Sequence, residues 1–187
     1  MPPKVRITKN EIIKASLDIV RKNGEQAMKA RSIAAMLDCS TQPVFSNFAT
    51  MEELQEAVSA AAYEYYLGFL EREAASGKYP PYKAFGMAYI RFAEEEKELF
   101  KFLFMRERKG NASPNAPDFE ASVEVIMKAT GVKRETAILM HLEMWIYVHG
   151  IATILATSFL DLDWDLISQL LSDMYQGMLA KHLREEK

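Results

Sequence analysis

Apolar residues recur along this chain at intervals of three and four. Nowhere do polar and apolar positions alternate long enough to argue a strand, so the pattern predicts an all-helical protein of about nine helices. Thr8 and Glu11 form a capping box that opens a first helix, with Ile12, Ala15, Ile19 and Val20 on one face and Gly24 as its stop. A short second helix is expected from about Ala30 to Leu37, with Ile33, Ala34 and Leu37 inward, followed by a turn at Asp38-Cys39-Ser40. A third, from about Thr41 to Asn47, takes Ser40 as its cap and tolerates Pro43 in its first turn, and Val44 and Phe48 face the core. Thr50 and Glu53 repeat the capping box and open a long helix that Ser76-Gly77 ends. Beyond the linker Tyr79-Pro-Pro-Tyr82, further helices are expected over about 81–96, 97–107, 118–130, 134–159 and 164–183, with Lys109–Pro117 the most loop-like and mobile segment.

Composition narrows the class without deciding the function. The chain has 187 residues, 49% of them apolar and 26% charged, which suits a soluble globular protein rather than a disordered one. Cys39 stands alone, so no intramolecular disulfide is expected, and a small buried filler is its expected role. No apolar stretch follows the charges of the opening MPPKVRITKN, so the sequence reads as having no secretory start and the protein as cytoplasmic. The run Ala137–Leu162 is long enough to cross a bilayer, but Glu143, Asp161, His141 and His149 interrupt or bound it, and a core helix rather than a membrane partner is expected. Charge is unevenly placed: residues 1–48 hold eight basic against four acidic side chains, a net +4, and the remainder carries −7, giving −3 in all. A basic head on an acidic body points to a polyanion met by the head.

The stretch Arg31–Phe48 carries the most specific pattern. Two short helices flank a tight turn, and the second is expected to expose Thr41, Gln42, Ser46 and Asn47. That is the shape of a helix-turn-helix, in which the second helix enters the major groove and Gln42 or Asn47 can pair with adenine edges; a plain helical hairpin has the same spacing.

Ile12, Ala15, Gly24, Arg31-Ser-Ile33-Ala34, Ser40, Phe45-x-x-Phe48 and Glu52-Glu53-Leu54, in this order and spacing, resemble the N-terminal region of the tetracycline-repressor (TetR) family of transcriptional regulators. The resemblance implies a helix-turn-helix domain over residues 1–50 and a helical effector-binding and dimerisation domain over 51–187. It implies operator DNA as partner, contacted by Arg31, Ser40, Thr41, Gln42, Pro43, Ser46 and Asn47, with Lys9 and Arg6 supporting on phosphate. The chain departs from the family's habits: Asp38 replaces the turn glycine, Phe45 a tyrosine and Met51 a lysine, and Pro43 is unusual. Asp38 can still adopt the left-handed conformation, whereas Phe45 and Met51 remove groups usually aimed at phosphates. A helical ligand-binding or partner-binding protein with a weakened DNA head is therefore the alternative reading.

The body is rich in aromatic and methionine side chains, which pack a core and also suit a cavity for a small apolar or amphipathic ligand. Tyr89, Phe92, Phe104, Met105, Met127, Trp145 and His149 are the expected lining. Trp145 and His149, four apart, share a helix face and form part of a Trp-x-x-x-His-Gly element similar to one in a branch of the family; Gly150 is expected to permit close helix approach. Glu143 is expected to face solvent, or else to meet a ligand. The last two helices carry more apolar surface than one chain buries, and the resemblance makes them the homodimer interface. No metal spacing joins His141, His149 and His182, and no HExxH, GxSxG or phosphate-cradling loop occurs, so neither an enzyme nor a cofactor is expected.

Overall fold

The computed structural model describes residues 7–106 and 117–185. Arg6 and the expected mobile loop, apart from Pro117, lie outside the described residues. Among the described residues the chain is all-helical: α1 (Lys9–Asn23), a single 3-10 turn (Glu25–Ala27), α2 (Ala30–Met36), α3 (Gln42–Asn47), α4 (Met51–Ala74), α5 (Pro81–Glu95), α6 (Lys97–Phe104), α7 (Pro117–Thr130), α8 (Arg134–Ala156) and α9 (Trp164–Glu185). Contacts divide it into two compact units, one of residues 1–68 and 96–106, the other of 69–95 and 107–187.

In the first unit, α1 starts as its sequence dictates. The Glu11 amide donates to the Thr8 hydroxyl, and the Glu11 carboxylate accepts from the Thr8 amide at 2.8 Å, which holds that carboxyl below its ordinary range. Gly24 ends the helix with φ 79° and ψ 169°, a conformation open almost only to glycine. The α4 start differs slightly from the expected box: Thr50 accepts from the Glu53 amide, but the Glu53 carboxylate reaches one residue further back, to the Ala49 amide at 2.7 Å. Leu54, Val58, Ala62 and Tyr66, each four apart, form the buried face of α4. α1 packs on α6, whose Leu99, Phe100, Phe102 and Leu103 are buried. Arg21 of α1 and Tyr65 of α4 both bond Glu96, which is only 8% exposed at the start of α6; Arg21 Nε donates at 2.7 Å and the Tyr65 hydroxyl at 2.8 Å. A buried carboxylate is costly alone, and this double donation is what offsets its desolvation.

In the second unit, α8 is packed by α5, α7 and α9. Ala137, Met140, Met144, Val148, Ile151 and Leu155 form its buried stripe. By length and composition alone α8 is apolar enough to cross a membrane, yet its buried stripe is that of a core helix. Close helix approach is enabled at Gly86, where an added Cβ would stand 3.2 Å from Leu171 Cδ2 and 3.4 Å from Val148 Cγ2. This corrects the expectation for Gly150, which has nothing within 4 Å of such a Cβ. Phe85 of α5 is 44% exposed.

Substitution of Gly24 by alanine is expected to cost about 1–3 kcal/mol, because a Cβ is disfavoured at that backbone conformation. Urea unfolding followed by helical circular dichroism measures the loss, and an unchanged midpoint would contradict the strain assigned to this site.

Candidate nucleic-acid interface and aromatic body site

α2 and α3 are too short to be stable alone, so burial has to hold them. Ile33 and Ala34 anchor α2, and Val44 and Phe48, each 1% exposed, anchor α3 and its exit. Between them Asp38 adopts φ 48°, and the Cys39 amide closes the turn on the Ala34 carbonyl at 2.9 Å. An aspartate thus does what glycine does more cheaply. Cys39 itself is half-buried rather than a buried filler. The expected Ser40 cap is not used: Thr41 precedes α3, its side chain makes no capping bond, and Pro43 occupies the first turn, where its missing donor is harmless.

This arrangement presents Gln42, Phe45 and Ser46 outward, with Thr41 and Pro43 half-buried beside them. The Gln42 amide makes no hydrogen bond among the described residues, so both its donor and its acceptor remain available. The Ser46 hydroxyl donates to the Gln42 carbonyl at 2.8 Å, leaving its oxygen to accept. Two expected contacts are otherwise engaged. Asn47 is half-buried, and its Nδ2 donates to the Pro43 carbonyl at 2.8 Å and to the Ile7 carbonyl at 3.4 Å, which ties α3 to the segment leading into α1 instead of offering that amide nitrogen to a base. Lys9 pairs with Glu53 at 3.2 Å and lies 4.6 Å over the Phe48 ring. Sequence spacing put Asn47 on the polar side of α3, but the nearby Ile7 carbonyl is visible only in three dimensions. Arg31 and Ser40 are exposed.

The seven expected ligand contacts do not converge on one place. Tyr89, Trp145 and His149 are brought together in the second unit. The Tyr89 hydroxyl lies 2.9 Å from His149 Nδ1, and the Trp145 and His149 rings stack with centroids 5.1 Å apart and planes at 12°. Burial holds the His149 pKa below its ordinary value, so at neutral pH the imidazole is uncharged, and a hydrogen bond joins its Nδ1 to the phenol oxygen. Phe92, fully buried, packs edge-on against Phe69 at 5.4 Å, and Met127 is half-buried on α7. Phe104 and Met105 belong to the first unit, where Phe104 packs against Tyr66 at 5.1 Å and Phe100 at 5.3 Å. Two shallow grooves lie on the first unit, one lined by Glu25, Lys29 and Gln55, the other by Lys14, Asp18 and Met36; neither is formed by the expected ligand residues.

Other pairings lay beyond sequence reasoning. Tyr82 repeats the Tyr89 arrangement about two turns earlier on α5 and α8, its hydroxyl 3.0 Å from His141 Nδ1, and burial pushes that phenol's pKa up. Glu143 does not simply face solvent; its Oε2 lies 2.8 Å from Nε2 of His182, which is 2% exposed on α9. Lys83 donates to the Ser168 and Ser172 hydroxyls at 2.7 and 2.8 Å. The helical spacing of these residues was legible beforehand; which helix would supply the partner was not.

The family model for the tetracyclin repressor-like C-terminal domain matches residues 82–178, more than half of the chain. The chain belongs to the tetracycline-repressor-like family. Among solved structures, a protein of unknown function from Rhodococcus sp. RHA1 is similar with a TM-score of 0.71 at 17% identity, over 97% of this chain and 99% of that one. At that identity the likeness shows the fold alone, and it extends the all-helical architecture over nearly the whole TetR-like chain. No curated protein matches it.

Folding stability is expected to fall as pH drops below about 6.5, the ordinary imidazole value. In that window the unfolded His149 takes a proton that the folded one refuses, so acid favours unfolding; His149→Gln should flatten this dependence. Chemical denaturation of both proteins between pH 7.5 and 5 tests it, and parallel pH curves would refute the assignment.

Proposed function

We propose that this TetR-like protein is a ligand-responsive transcriptional regulator that binds a palindromic operator as a homodimer and most simply represses from it. The observation that carries the reading is the exposed Gln42 amide, unpaired among the described residues, on a short second helix that Val44 and Phe48 anchor from behind. An amide so placed pairs bidentately with an adenine edge in the major groove. Residues 1–50 act as the DNA head and residues 51–187 as the effector-binding and dimerisation body. Arg31 and Ser40 meet the DNA backbone, and Thr41, Pro43 and Ser46 flank the reading position. Of the supporting basic residues, Lys9 has first to leave Glu53.

A second copy is the expected cover for the outer stripe of α8, where Leu139, Leu142, Trp145 and Ile146 are 43–59% exposed, and for the exposed Leu166 and Leu183 of α9. A two-fold dimer would present two heads to successive major grooves, roughly 34–36 Å apart.

The effector of this reading is a small, flat or amphipathic molecule held near Tyr89, Trp145 and His149, binding the body better in one placement of the heads than in the other. Effector and operator then oppose each other by the same factor in both directions. The setting is the cytoplasm, and no catalytic step is assigned.

Gel shifts against DNA flanking the coding region test the head. Gln42→Ala is expected to lose about 1–3 kcal/mol on the specific site while retaining the fold, as for any bidentate base contact. Sequence-independent binding alone would favour a ligand-binding or partner-binding protein with a weakened head. Leu142→Glu with Ile146→Glu is expected to convert a dimer into a monomer by light scattering, and an unchanged mass would remove α8 from the interface.

A further inference from the structure

Phe45 is 54% exposed in the middle of α3, and no ring or cation packs on it among the described residues. An aromatic side chain left in water on a six-residue helix forfeits burial that its neighbours Val44 and Phe48 obtain in full. Phe45 stands three residues after Gln42, so both share the outward face of α3. Phenylalanine has no hydroxyl to give a phosphate oxygen, which removes a backbone hydrogen bond from its possible roles. The charge along the sequence suits a polyanion at this end of the chain: the first 48 residues carry net +4 on a chain of net −3, and Arg31 and Lys14 are exposed.

Within the major groove of DNA the base edges offer donors, acceptors and one apolar group, the thymine C5-methyl. We propose that Phe45 reads a thymine methyl in the operator, next to the adenine paired by Gln42, so that each half-site contains an A·T-rich step recognised by one amide and one ring. Asn47 is withdrawn from readout by its bonds to Pro43 and Ile7, and this apolar contact is the second base-reading element that α3 offers in its place. The inference rests on the DNA-binding reading above and specifies the chemistry of the site that reading requires.

The test begins by enriching bound duplexes from a random pool with the full-length protein. On the selected site each thymine is then replaced in turn by deoxyuridine, which removes only the methyl group, and affinities are measured for the wild type and Phe45→Ala. The expected result is one position per half-site where uracil weakens wild-type binding about four-fold, the worth of one buried methyl-sized group, and where Phe45→Ala binds both duplexes equally. An enriched site with no thymine whose methyl sensitivity disappears in Phe45→Ala overturns the inference and leaves the DNA-binding reading standing. A uniform loss of affinity across all duplexes in Phe45→Ala also overturns it, since the ring would then serve the backbone. Failure to enrich any site removes both.

Discussion

The burial of Val44 and Phe48 is the constraint on which the head depends. A helix of six residues has no stability of its own, because nucleation fixes about six dihedral angles for the first hydrogen bond and so short a helix adds too few more to offset that cost. Its orientation is therefore set by two side chains behind it and by the turn before it, where Asp38 takes a left-handed conformation. Once those are in place, the outward identity of Gln42, Phe45 and Ser46 follows from helical geometry. Anchoring from behind also separates the two demands on α3: its inner residues satisfy packing, and its outer residues are left to chemistry.

Polar bonds in this protein join elements that hydrophobic contact alone would leave free to slide. Glu96 gathers Arg21 of α1 and Tyr65 of α4 onto the start of α6, and within the second unit two tyrosine–histidine pairs stitch α5 to α8. Apolar contacts tolerate small displacements, whereas a hydrogen bond weakens steeply with distance and angle. These bonds therefore specify register more than they add stability. The stacked Trp145 and His149 on one face of α8 join that register to an aromatic surface.

α8 shows how one helix meets two requirements. Its inner stripe is covered by α5, α7 and α9, while Leu139, Leu142, Trp145 and Ile146 are left in contact with solvent. That outer stripe is the surface for which a partner copy is proposed above.

Much of this was legible in the sequence because it depends on neighbours within four residues. The capping box at Thr8, the Thr50 hydroxyl cap, the stop at Gly24, the aspartate turn and the inward faces of α1 to α3 all follow from local hydrogen bonds and helical periodicity. The residue pattern from Ile12 to Leu54 likewise pointed to the family that the match over residues 82–178 shows. Only tertiary structure decided that Asn47 turns to Ile7, that Lys9 meets Glu53, that Glu143 meets His182, and that Gly86 rather than Gly150 admits a neighbouring helix. The physical reason is one of range: periodicity says which face a residue occupies, but the group standing opposite that face comes from a distant part of the chain, and a polar side chain takes whichever partner folding brings within 3 Å or so.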